Sequence, residues 1–154
     1  MNSPVVHLMQ AGRLERFFID GDWVLPDGSD RFAVVSPSTE DTLGEIPLGS
    51  ARDADRAVQA ARRAFERWSA TSPQERAALL DRVHALMLER AELFAAALAM
   101  EMGAPIGYAR AAHVPLAAEH IRVARDNLAR YPFIERRGTT AVAREPIGVC
   151  ALIT

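Results

Sequence analysis

The side chains able to do chemistry are few: four histidines, one cysteine and eighteen basic residues, every one of them arginine. His7, His84, His113 and His120 are the candidate acid–base or metal-binding groups, and the seven-residue interval from His113 to His120 puts both on one helix face. Pro115 lies between them and disturbs that simple geometry. No His-x-x-x-His pair, second thiolate or carboxylate cluster completes a ligand set, so the histidines read as surface or packing residues. Cys150 sits in an apolar run with no neighbouring His or Arg. It therefore reads as a small buried hydrophobe with a raised pKa, not as a nucleophile. With no lysine, the chain lacks a Walker loop, a Schiff-base amine and a lysine general base. Arg62, Arg63 and Arg67 form a possible anion patch. Asp53, Asp55 and Glu66 in the same stretch make a mixed, solvated face the simpler reading. Gly-x-Gly-x-x-Gly and Gly-x-Ser-x-Gly motifs are both missing.

The 154 residues are 49% hydrophobic and 25% charged, with a net charge of -2, which suits one globular domain and speaks against nucleic-acid or anionic-membrane partners. A single cysteine fits a reducing compartment, and the start of the chain has neither a basic segment nor a sustained apolar one. The longest apolar run, residues 93–100, is far short of the ~20 residues needed to cross a bilayer. The expectation is a soluble, cytoplasmic protein.

The elements that would position these side chains can be read from local signals. Residues 1–16 read as a loose tail, and 17–49 as small β hairpins, with Asp20-Gly21 between Phe17-Phe18-Ile19 and Asp22-Trp23-Val24 as a type I′ turn. Residues 50–131 read as helical. Ser50-Ala51-Arg52-Asp53 is a capping box with Asp in place of Glu, and Ala54, Ala57, Val58, Ala61, Phe65 and Trp68 make an apolar stripe expected to face the core. Ser72-Pro73-Gln74-Glu75 starts a second helix. Gly103 and Pro105 stop a third segment, and Pro115 kinks or restarts a fourth that ends at Tyr131-Pro132. Residues 132–146 form a loop and a short strand. The nearly continuous apolar run 147–154 reads as a strand covered on both faces, the first member of an incomplete parallel sheet. Its missing neighbours suggest the N-terminal part of a longer polypeptide.

Five segments in order carry a resemblance: Phe18-Ile19-Asp20-Gly21-Asp22-Trp23-Val24; Ser36-Pro37-Ser38-Thr39-Glu40; the stretch from Asp53 through Phe65 to Trp68; Glu101-Met102-Gly103-Ala104-Pro105; and Arg144-Glu145-Pro146-Ile147-Gly148-Val149. Together they resemble the N-terminal portion of the NAD(P)-dependent aldehyde dehydrogenase superfamily. The resemblance implies an α/β fold of small antiparallel hairpins, an amphipathic helical region and the first strand of a Rossmann-like cofactor sheet. It implies a parent enzyme that oxidises a small aldehyde to a carboxylic acid with NAD or NADP through a cysteine thioester. The thiol nucleophile and the water-activating glutamate of that chemistry have no counterpart here, and Cys150 matches a noncatalytic position.

By the same resemblance, Ile153 and Thr154 border the adenosine half of the dinucleotide through their backbone, and His113, Leu116 and His120 are candidates for the wall of the substrate tunnel. The N-terminal hairpin and residues 139–144 would belong to a sheet used in subunit association, giving a homo-oligomeric parent. A second expectation is a noncatalytic module that binds full-length relatives through its edge strands.

Overall fold

The computed structural model describes residues 12–153. His7 and Thr154, and most of the expected tail, lie outside them. Arg13–Glu15 form a 3-10 turn, so the last part of that tail is ordered. Glu15 is fastened to Arg31 by an ion pair of 2.6 Å.

Phe17–Ile19 (β1) and Asp22–Val24 (β2) pair antiparallel. Asp20 and Gly21 both take positive φ, 58° and 87°, as a type I′ turn demands. Arg31–Val35 (β3) pairs with Thr42–Pro47 (β4) through a bulge at Val34/Val35. The turn between them is built on buried Ser36, whose Oγ accepts from the amides of Ser38 and Thr39 at 3.3 Å. Ile134–Arg137 (β5) and Thr140–Ala143 (β6) make a third antiparallel pair.

The helices are Ala51–Ser69 (α1), Pro73–Glu89 (α2), Ala91–Glu101 (α3), Ile106–Tyr108 (α4) and Val114–Arg130 (α5), with a π-helical turn at Ala109–His113. Both capping boxes form as their sequences dictate, Ser50 with Asp53 and Ser72 with Glu75. Arg90, at φ -104° and ψ 20°, separates α2 from α3. Pro115 falls in the first turn of α5, where its missing N–H costs nothing. The chain restarts there through the π turn, in which the Val114 amide reaches back to Ala109 O.

The best-buried residues are small. Ala95, Ala104, Ala109 and Val114 form a cluster supported by Ala91 and Leu98, where α3 meets the π turn and the start of α5. α2 packs along α5, and Arg125 reaches across to Asp81 at 3.4 Å. Gly103 ends α3 in a left-handed conformation (φ 73°), and a Cβ there would stand 2.9 Å from Pro37 Cγ. Two of the segments that carried the resemblance therefore meet at this point.

Two expectations about apolar faces are corrected. Ala54, Ala57 and Val58 of the α1 stripe are exposed, and only Ala61 and Phe65 are partly covered. Residues 147–153 form no strand, and Ile147, Leu152 and Ile153 are each more than 90% exposed. The cause is the same for both. A strand exists only through ladder bonds to a neighbour, and an amphipathic stripe is covered only if something packs on it. Among the described residues, neither partner is present.

Candidate functional site

His113 ends the π turn, half-buried, with the edge of its ring against Tyr108 (centroids 4.8 Å apart, planes at 83°). Its Nδ1 is sealed from water with no hydrogen-bond partner among the described residues. Buried nitrogens are nearly always paired, and this one is an exception. Leu116 and His120 follow at i+3 and i+7 on α5, and both are exposed. His120 faces a charged edge: Glu119 is held below the usual glutamate range, first by its hydrogen bond from Arg122, with the charges of His84 and His120 adding to it. Arg122 bridges Glu119 and Asp126 along α5, each at 2.5 Å. The three residues share one side of the helix by spacing but differ in setting. His113 is enclosed, while Leu116 and His120 open outward.

The other expected contact, the backbone at Ile153, lies in the open segment after Pro146; Thr154 falls outside the described residues. Cys150 is exposed, with Sγ 4.0 Å from Gly148 O, which corrects its reading as a buried thiol. Burial would need the covering sheet that residues 147–153 lack. Between this segment and α1 runs a groove of about 950 Å³, walled by Ile147 to Ala151 on one side and by Ala54, Val58 and Phe65 on the other, with Arg62 at its rim.

Sequence reasoning missed Tyr108 as the neighbour of His113, because the π turn that brings them together has no local sequence signature. It also missed the reach of Asp53. This carboxylate is 4% exposed, caps α1 through the Ser50 amide at 3.0 Å, and accepts the Asp27 amide at 3.0 and 3.2 Å. Its pKa is depressed, first by the Ser50 backbone bond and then by the Ser50 hydroxyl and the Asp27 amide, against the opposing effect of burial. Nothing local to residues 27–29 signals this long-range bond.

The profile of the aldehyde dehydrogenase family matches residues 23–154. The chain belongs to that family. It is 44% identical over 139 residues to a 3-succinoylsemialdehyde-pyridine dehydrogenase from Pseudomonas sp., covering 90% of this chain and 29% of that protein. A structure of aldehyde dehydrogenase C from Pseudomonas syringae, a mutant complexed with NAD+ and octanal, superposes with TM-score 0.86 at 52% identity, over 88% of this chain and 28% of that one. A Mycobacterium tuberculosis aldehyde dehydrogenase complexed with NAD+ gives TM-score 0.79 at 33% identity, over 86% and 29%. This family member thus spans about three tenths of the length of the relatives it matches. Its helices and small antiparallel hairpins correspond to the N-terminal part of aldehyde dehydrogenase structures.

Among the described residues, no helix is long and apolar enough to cross a membrane. The described residues do not by themselves fit a dinucleotide. Ile153 offers exposed backbone with no paired strand beside it, and no glycine-rich turn opens a helix to receive a pyrophosphate.

Proposed function

We propose that this segment serves an aldehyde-oxidising enzyme that uses NAD or NADP, as scaffold for the substrate wall and for one edge of the cofactor domain. The observation that supports the reading is the agreement of fold with an enzyme that holds NAD+ and octanal, at 52% identity over 88% of the chain. In this reading His113, Leu116 and His120 face the aldehyde's path. Leu116 and His120 offer exposed surface there, with His113 half-buried behind them. Ile153 and Thr154 border the adenosine half by backbone once residues 147–154 are paired as a strand. NAD or NADP, when bound, supplies the hydride acceptor. In this reading the 154 residues alone are inactive, because among the described residues no nucleophile and base are placed together: Cys150 is exposed with no histidine beside it.

The test is aldehyde-dependent formation of NADH or NADPH by the purified 154-residue chain. Activity equal to a heat-denatured control is expected, and turnover above it overturns the reading of inactivity. Installing His113→Ala in a polypeptide of the relatives' length tests the tunnel role. A changed ratio of kcat/KM between short and long aldehydes is expected, and an unchanged ratio removes His113 from the wall.

A second reading is favoured by a separate observation: among the described residues each of the three sheets has only two strands, so every strand presents a free edge. In that reading the chain is a noncatalytic association module that pairs with full-length relatives in a homo-oligomer-like contact. Co-purification with such a relative, abolished by Thr140→Pro in β6, would distinguish it from the scaffold reading. Placement in the cytoplasm belongs to this proposal and rests on the single cysteine.

A further inference from the structure

The β1–β2 hairpin lies across α1 and touches it at two ends of different character. At its base, the loop after β2 is bound to α1 by Asp53, which accepts the Asp27 amide, the Ser50 amide and the Ser50 hydroxyl (2.9 Å) while almost fully buried. A Cβ at Gly28 would stand 3.6 Å from Ser50 Cβ in the same place. Arg56, 3.7 Å from Asp53, and Arg52, 3.3 Å from Asp27, complete the charged groups at this end. At its tip, ten residues or about 15 Å further along the helix, Asp20 pairs with Arg63 at 2.7 Å, and both side chains are more than half exposed.

Between the two attachments the hairpin spans a hollow of about 320 Å³, with Phe18 and Ile19 above and Ala57, Ala60, Ala61 and Ala64 below. Ala57 and Ala61 also line the groove along residues 147–151, so the hairpin and the groove share a floor.

We propose that the β1–β2 hairpin is a strap, hinged at the Asp53 clamp and pinned at its tip by the Asp20–Arg63 ion pair, and that the pin sets how far the alanine floor of α1 is open. A buried carboxylate with several amide and hydroxyl donors is insensitive to salt, whereas an exposed ion pair is screened by it. The two attachments therefore release under different conditions. Among the described residues, the only other charged groups lining the cleft beside the tip are Asp22 and Arg56.

The experiment uses the full chain with spin labels at Asp22→Cys and Arg67→Cys in a Cys150→Ala background, and reads the distance between them. Asp20→Asn removes the tip charge and keeps the left-handed backbone that Asp20 adopts, since asparagine tolerates it. With that substitution, or with ionic strength raised to about 0.5 M, the distance should lengthen and broaden. The β1–β2 ladder amides should exchange roughly two- to five-fold faster, while the Asp27 amide keeps its protection. An unchanged distance in both conditions overturns the proposal, because packing would then hold the tip. Loss of protection at Asp27 together with the tip also overturns it, because the hairpin would then leave as a unit without a hinge. Should Asp20→Asn fail to fold, the salt series on the labelled chain with Asp20 intact decides between the same outcomes.

Discussion

The interface of α3, the π turn and α5 and the margin formed by α1 and residues 147–153 both carry apolar faces in sequence and are opposite in structure. At the first, Ala95 and Ala109 are 0% exposed, Ala118 2% and Val114 3%. At the second, Val58 is 50% exposed and Ile147 92%. Small residues let backbones approach until every methyl is covered, so the first region needs only its own neighbours. The second, its alanines Ala54 and Ala57 included, has no layer packed on it among the described residues. Apolar pattern alone states what a segment wants against it, not whether it has it.

The comparison can be broken at four points, and the largest effect belongs to the closed interface. Ala109→Leu adds volume where no atom is exposed and should cost about 1–3 kcal/mol in unfolding free energy by denaturant titration. An effect below about 0.5 kcal/mol would show that this interface is as loose as the margin. Gly103→Ala should cost about 1–2 kcal/mol, from the left-handed backbone and the collision with Pro37 together. Pro37→Ala should relieve part of that loss in the double variant.

Asp53 gives a smaller, pH-dependent signature. Its folded pKa is depressed, so its contribution is fully present above the ordinary aspartate range and is lost as pH falls through the depressed value. The melting temperature of the unsubstituted chain should fall across that acid interval more steeply than that of Asp53→Asn; parallel profiles would remove the clamp from the account. Smallest is the effect of changing the open margin itself. Ile147→Ser with Leu152→Ser should alter stability by less than about 0.5 kcal/mol. The same pair should reduce self-association in sedimentation velocity, because exposed apolar chain of this kind associates. A large loss of stability would mean that these side chains are covered after all.

What could be read in the sequence was what is decided within a few residues. The Asp20-Gly21 turn, the capping boxes at Ser50 and Ser72 and the stop at Gly103 each depend on their immediate neighbours, and each formed. The strand at 147–154 and the covered face of α1 depend on distant partners; the sequence showed that the strand's sheet neighbours were missing, yet its apolar pattern still read as a strand, because pattern reports what a segment would pair with and not whether it does. The break at Arg90 and the π turn went unread because a helix absorbs both without changing its apolar spacing. For the candidate site, His113, Leu116 and His120 were found by resemblance and spacing. The enclosure of His113 by Tyr108 was not, because it depends on the extra residue in the turn between them.

That extra residue has a consequence for how the chain tolerates changes in length. A π turn is a helix holding one residue more than its hydrogen bonding needs, here with Val114 bonded five residues back to Ala109. Deleting a residue from 109–113 would let the turn revert to ordinary helix, leaving the phase of everything on either side intact. The same deletion inside α5 would turn all later residues by about 100° about the axis. Leu116 and His120 would thus keep their bearing after the first deletion. The second, placed between them, would swing His120 away from Leu116, so the π turn at 109–113 is a place where this chain can lose a residue without re-aiming the side chains of α5.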